Sequence, residues 1–172
     1  SNPNQDVLVE LSGDVVLTCE ASSDALQVST DCSTVFMDGT ESSGGANVVV
    51  TVSSNDATGS VTMQVFYPEL PVTLVAQRDT LNAIQSAEAA TCGSPRFQSS
   101  SVAAYVTMSA GATSFISEVT HLLSDSMTSS NNNVATITNA TVFGVSDGSV
   151  TIGAGTVHGR AVAQDLVLSV NA

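Results

Sequence analysis

The chain has 172 residues, with 16 acidic side chains against three arginines and no lysine, and its formal net charge at pH 7 is −13. This charge argues against a nucleic-acid partner, because phosphate binding needs clustered cations. It also disfavours docking on an anionic membrane. No run of eighteen apolar residues occurs, so the sequence predicts no membrane span.

Strand signals recur at short spacing between clusters of Gly, Asn, Asp and Ser. Within them apolar and polar residues alternate, as where Val61, Met63 and Val65 share one face of a predicted strand. Helical signals are poor, with one or two turns expected at residues 79–91 and one more at 115–127. The pattern predicts an all-β fold. The predicted strands lie at residues 7–11, 14–20, 25–29, 33–37, 47–53, 60–67, 72–77, 100–109, 134–138, 140–145, 149–154 and 160–170.

The stretch YPELP at residues 67–71 is predicted to join two domains. Its two prolines cannot donate to a strand ladder and hold the chain extended, which makes a short, stiff linker. The expected domains are residues 1–68 and 69–172. The first is short for a β-sandwich and is expected to be incomplete at its start.

Residues 25–68 can be aligned with residues 134–170 as an internal repeat. Both read as a short strand, a turn, Thr-Val-Phe, Asp-Gly, a long strand, a loop and a long strand. Phe36 matches Phe143, and the Asp-Gly pair at 38–39 matches the pair at 147–148. The repeat predicts a duplicated sandwich unit.

The second copy of the repeat carries V-A-T-I at 134–137, V-F-G at 142–144 and G-S-V-T-I at 148–152. This order resembles the core of bacterial immunoglobulin-like group 2 domains. The resemblance implies an immunoglobulin-like β-sandwich.

A wider set of short motifs resembles the ectodomain of the transmembrane protein 132 family. That family consists of animal cell-surface proteins with tandem immunoglobulin-like domains, proposed to act in adhesion. The resemblance implies two tandem immunoglobulin-like β-sandwich domains in an extracellular setting. The chain departs from the family at 85–86, where Gln-Ser replaces a Gly-Trp pair. The matching motifs are Tyr67-Pro68, Leu70-Pro71, T-L-N-A-I at 80–84, Cys92 and Val119-Thr120.

Three cysteines are present, and none lies in a C-x-x-C motif. The short separation of Cys19 and Cys32, in a chain of secreted character, predicts a disulfide between them. Three alternatives are open for Cys92: a buried free thiol, a bond within the chain in place of Cys32, or a bond outside the chain. Asn139-Ala140-Thr141 is an N-glycosylation sequon, which predicts a glycan on Asn139 if a eukaryotic cell secretes the protein.

The only histidines, His121 and His158, are not spaced as zinc ligands. The sequence therefore predicts no catalytic residue, no cofactor and no metal site. G-A-G-T-V-H-G at 153–159 has no helix after it and indicates a hairpin turn, since a phosphate loop opens a helix.

Two acidic turns could be mistaken for calcium loops, which need several converging oxygen ligands. The Asp-Gly-Thr-Glu segment at 38–41 and Asp147-Gly148 are isolated, and we interpret them as turns. Whether Asp24, Asp31 and Asp56 come together between loops is not decided by the sequence.

These features favour a non-enzymatic extracellular structural or adhesion segment. It would be part of a larger cell-surface protein or a subunit of an extracellular filament. Its expected partners are other protein subunits or cell-surface proteins, including further copies of the chain. The alternative is a ligand-binding module for glycans or calcium, although aromatic residues for sugar stacking are sparse.

Two apolar segments would be poorly protected as edge strands. Val48, Val50 and Val52 share one face of the strand at 47–53, and no charge lies between Glu41 and Asp56. An uncharged apolar edge invites pairing with another chain. We expect this strand, and the one at 166–170, to be central in a sheet or covered by another subunit.

Overall fold

The protein is described here from a computed structural model, which describes residues 16–84, 96–157 and 160–172. The predicted strand at 7–11 and the start of the one at 14–20 lie outside these ranges. The chain divides into two compact units, and each is described by itself. The first runs to Tyr67 and includes the turn Ala110–Thr113, and the second comprises Pro68–Ser109 and Ser114–Ala172.

The described residues form seventeen strands and one four-residue helix, α1, at Thr120–Leu123. The strands are β1 (Thr18–Ala21), β2 (Gln27–Val28), β3 (Val35–Phe36), β4 (Gly45–Ser53), β5 (Thr58–Val65), β6 (Tyr67–Ala76), β7 (Thr80–Ile84), β8 (Arg96–Phe97), β9 (Ser99–Ala110), β10 (Thr113–Glu118), β11 (Met127–Ser129), β12 (Ala135–Thr138), β13 (Thr141–Gly144), β14 (Gly148–Ala154), β15 (Thr156–Val157), β16 (Arg160–Ala161) and β17 (Leu166–Asn171).

The first unit contains a three-stranded antiparallel sheet in the order β1-β4-β5. Val50 of β4 lies opposite Ala21 of β1 and Val61 of β5. Strands β2 and β3 form a separate hairpin. Alternation along β4 points Val48 and Val50 to the same side, where they are buried. Their core cluster consists of Ala25, Leu26, Val48, Val50 and Val65.

The second unit contains two five-stranded sheets and the two-stranded ribbon β15-β16. One sheet has the order β10-β9-β13-β12, with β6 also paired to β9. The other has the order β11-β14-β17-β7-β8. All of the described ladders in the second sheet are antiparallel except β17-β7, which is parallel and places Val170 opposite Leu81.

The core of the second unit is built from alternate residues of its long strands. Ile152 of β14, Leu168 of β17 and Leu81 of β7 have no exposed surface. Apolar burial of this kind is the main favourable term in folding. The buried cluster consists of Val72, Leu74, Leu81, Val102, Ala104, Val106, Met127, Val134, Ala135, Ala140, Val142, Val150, Ile152, Ala154, Val162, Ala163, Leu168 and Val170.

The all-β prediction is confirmed, and three local predictions need correction. Thr80–Ile84, expected to be helical, is strand β7, because its pairing with β17 buries Leu81 and outweighs local propensity. The segment at 115–127 continues β10 to Glu118 before the single turn of α1. The proline-containing stretch at 67–71, expected to be a linker, begins the ten-residue strand β6.

Both apolar strands that would make poor edges are central in their sheets. Strand β4 lies between β1 and β5, and β17 lies between β14 and β7. The expectation that they would be central or covered is confirmed, and the pairing comes from within the chain. In the part of the chain that the structure describes, no helix is long and apolar enough to cross a membrane.

Leu168 and Val167 are adjacent on β17 and provide a matched test of this packing. Leu168 is 0% exposed and Val167 is 59% exposed. We expect Leu168→Ala to lower the free energy of unfolding of the second unit by about 2–5 kcal/mol, because it leaves a cavity. Val167→Ala should cost less than about 1 kcal/mol. Urea unfolding, followed through NMR amide signals of the second unit, measures both, and equal losses would contradict the assigned faces.

Candidate interaction surface

A disulfide joins β1 to the β2-β3 hairpin in the first unit. Cys19 lies on β1, and Cys32 lies 13 residues later, with a Cα–Cα distance of 5.6 Å. This distance is within the usual range for bridged cysteines. The pairing agrees with the sequence prediction, and closing a loop of this length stabilises a fold by roughly 3 kcal/mol. Cys92 lies outside the described residues.

Asp31, beside this disulfide, organises the turn between β2 and β3. Its Oδ1 accepts hydrogen bonds from Ser29 Oγ at 2.6 Å and from the backbone N–H of Ser33 at 3.1 Å. Ser33 Oγ donates to both carboxylate oxygens at 2.8 Å. The hydrogen bond from the Ser29 side chain, followed by those from Ser33, lowers the pKa of Asp31 from 3.8 to about 2. The Asp31 carboxylate therefore accepts its hydrogen bonds from residues of its own turn.

The acidic segment at 38–41 is a second self-contained turn. Glu41 is buried, and its carboxylate oxygens accept the backbone N–H groups of Asp38 at 2.8 Å and Gly39 at 2.9 Å. Asp38 Oδ1 accepts from Thr40 through its hydroxyl at 2.7 Å and its backbone N–H at 2.9 Å. The Thr40 hydroxyl is the main cause of the lowered pKa of Asp38. Gly39 has a φ of +91°, which favours glycine.

The other acidic side chains and the histidines considered as possible ligands are not clustered in the described part of the chain. Among the described residues, no group of three or more His, Cys, Asp or Glu side chains could hold a metal ion. Asp24, Asp31 and Asp56 are therefore not brought together as a metal site. Asp147 accepts a hydrogen bond from the backbone N–H of Ala172. His121 is exposed on α1, and His158 lies outside the described residues.

Strand β5 presents an unpaired edge within the described part of the chain. It pairs with β4 on one side, and none of the other described strands pairs with it. Its residues carry no charge, and the five at 58–62 are all exposed. Unpaired N–H and C=O groups on an edge without charge or proline are a template for strand addition. The edge position of β5 was not predicted from the sequence, although its lack of charge is visible there.

An apolar groove of about 490 Å³ lies beside this edge. The apolar side chains are less buried on β5 than on β4: Val48 of β4 is 1% exposed, whereas Val61 of β5 is 53% exposed. Val61 lies opposite Val50 in the ladder, so the two side chains share the apolar face. We call this surface, the edge and the groove together, the β5 surface. The groove is lined by Leu17, Val50, Val52, Ser54, Ala57, Thr58, Gly59, Ser60 and Val61.

The paired sheets, the disulfide and the absence of a long helix in the described residues define an all-β protein. Residues 6–70 match the family model of the TMEM132 fourth domain, which is immunoglobulin-like. The match covers less than half of the chain, and it supports an immunoglobulin-like, TMEM132-type domain in the first unit.

One similar solved structure is that of surface layer protein SbsC, domains 1-6, with a TM-score of 0.37 and 18% sequence identity. The similarity covers 94% of this chain and 21% of that chain. The chain thus spans about a fifth of that structure. No curated protein matches the chain significantly.

The lowered pKa of Asp31 predicts how the disulfide-bonded turn responds to acid. Because the folded pKa, about 2, lies below the ordinary value of 3.8, the stabilisation is present above about pH 4 and is lost as the pH falls towards 2. A carboxyl ¹³C titration should show a midpoint near 2 for Asp31. In the Ser33→Ala variant the midpoint should rise towards the ordinary value. A midpoint near 3.8 in the wild type would contradict the geometry.

Proposed function

We propose that the chain is a non-enzymatic structural or adhesion segment of an extracellular protein. It comprises two tandem immunoglobulin-like β-sandwich domains, at residues 1–68 and 69–172. The observation that carries the proposal is the match of residues 6–70 to an immunoglobulin-like domain model. The segment is part of a larger cell-surface protein or a subunit of an extracellular filament.

The disulfide supports the extracellular setting. Disulfides such as Cys19–Cys32 form and persist in oxidising compartments, whereas cytosolic thiols are kept reduced. The charge of −13 fits a solvent-exposed surface module and opposes non-specific clumping. Both features are chemical properties of the chain itself.

The β5 surface supports an association role. An incoming strand would pair with the N–H and C=O groups along the edge of β5 that no other described strand engages, and would place alternate apolar side chains in the groove beside Val61. Charge does not oppose this approach locally, because residues 58–65 contain no acid. We propose that this surface binds a strand of another subunit, of which a second copy of the chain is the simplest example.

The extracellular setting predicts oxidised cysteines in the source cells. If intact cells are treated with a membrane-permeant thiol-blocking reagent before lysis, Cys19 and Cys32 should be labelled only after reduction. Proteinase K added to a separate sample of intact cells should degrade the chain. Free thiols at both positions, together with protection from the protease, would place the chain in the cytosol and contradict the proposal.

The association role predicts that one charge on β5 prevents assembly. Wild-type protein should show concentration-dependent association in analytical ultracentrifugation, and Val61→Lys should abolish it, since an edge lysine opposes strand pairing. Val167→Lys is the matched control, because Val167 is similarly exposed, at 59%, on a central strand. It should associate like the wild type. A wild-type protein that stays monomeric at every concentration would show that the chain acts as a spacer.

A further inference from the structure

The turn between β12 and β13 displays the sequon on the second unit. Thr138 lies opposite Thr141, so Asn139 and Ala140 form a two-residue hairpin loop. Their φ angles are +47° and +55°, and two left-handed residues in succession are typical of a type I′ turn. Asn139 is exposed, whereas the Ala140 side chain is buried in the core. The turn therefore directs the acceptor asparagine to solvent.

The neighbouring strand β9 presents its outer face beside this turn. Val102, Ala104 and Val106 are buried on one side of β9, so Ser101, Ala103 and Tyr105 share the other side. Thr141, the third residue of the sequon, lies opposite Ser101 and faces the same way. The sequon and Tyr105 thus belong to one outer face.

A groove of about 460 Å³ lies on this face, within the size range of small-molecule sites. Residues 75–77 line one side, and the end of β10 and the β12-β13 turn line the other. Ala103, with its small side chain, and Tyr105 lie between them on β9. Polar groups surround them, since Thr120 Oγ1 donates to Glu118 Oε1 at 2.9 Å and accepts the backbone N–H of Ala104 at 2.9 Å.

We propose that Asn139 carries an N-linked glycan whose first N-acetylglucosamine lies in this groove against the ring of Tyr105. This inference rests on the extracellular setting of the proposed function. The amide nitrogen of Asn139 forms a bond to C1 of the sugar and loses one proton. The bond from C1 to the diphosphate of a lipid-linked oligosaccharide breaks, and the lipid diphosphate leaves with the electron pair.

The chemistry of the groove suits an amphipathic sugar ring. The C–H face of a pyranose packs on an aromatic face, while its hydroxyl and acetamido groups need polar partners. Tyr105 supplies the ring, and Gln77, Glu118 and Thr120 supply donors and acceptors.

The first test is occupancy of the site in a eukaryotic secretory host. Secreted wild-type protein should show a mobility shift on denaturing gels that is absent in Asn139→Gln and in Thr141→Ala. Because the host forces secretion, this result is independent of where the chain resides in its source cells. Wild-type protein secreted without a glycan at Asn139 would overturn the proposal.

The second test is the contact with Tyr105. Trimming with endoglycosidase H leaves one N-acetylglucosamine, and this form should melt several degrees above Asn139→Gln. The sugar should raise the melting temperature by the same amount in the Tyr105→Phe background, which keeps the aromatic ring. In the Tyr105→Ala background it should give no measurable gain, so the comparison forms a double-mutant cycle. An equal gain in Tyr105→Ala would overturn the groove assignment. If Tyr105→Ala does not fold, the test is the nuclear Overhauser effect between the sugar and the Tyr105 ring in the wild type. Absence of this effect would overturn the groove assignment.

Discussion

The pairing of β14 with β17 is the interaction on which the second unit depends. It places Val150 opposite Leu168 and Gly148 opposite Val170, and alternate residues on both strands are buried. Because side chains alternate with a period of two, a slip of one residue would expose this set and bury the polar one. The register therefore fixes both the core and the outer faces, which are the surfaces left for function.

The first unit uses the same arrangement and differs at one edge. Strand β4 lies between β1 and β5 as β14 lies between β11 and β17. In both units a short hairpin precedes the long strand, with an Asp-Gly pair at 38–39 before β4 and another at 147–148 where β14 begins. The far edge of β17 is paired with β7, whereas the far edge of β5 has no partner among the described strands. The proposed binding of another subunit follows from this difference in pairing and requires no special side chain.

Local patterns predicted the features that local sequence determines. Alternation located β4, β9, β14 and β17, and short separation located the Cys19–Cys32 bond. Strand β7 could not be found in this way, because it is stabilised by pairing with β17, the last strand of the chain, where Val170 lies opposite Leu81. The groove beside Asn139 was also beyond prediction, since β6, β9 and the β12-β13 turn come together only in the folded unit. Pro68 and Pro71 predicted a linker, but both lie within strand β6. Directly after Pro71, the N–H of Val72 donates to the carbonyl of Val162 at 2.7 Å, in an isolated parallel bridge with Ala163.

The acidic residues have a structural explanation that bears on function. Asp31, Asp38 and Glu41 each accept hydrogen bonds from donors in their own turns, and oxygens so engaged are poorly placed to bind calcium. Charge that stabilises turns also keeps the exposed loops anionic at neutral pH. What is left uncharged is the edge of β5, whereas the hydroxyl-rich outer face around Tyr105 carries one acid, Glu118. The proposed contacts at these surfaces therefore rely on backbone pairing at β5 and on sugar contacts at Tyr105, and both suit the proposed structural or adhesive module.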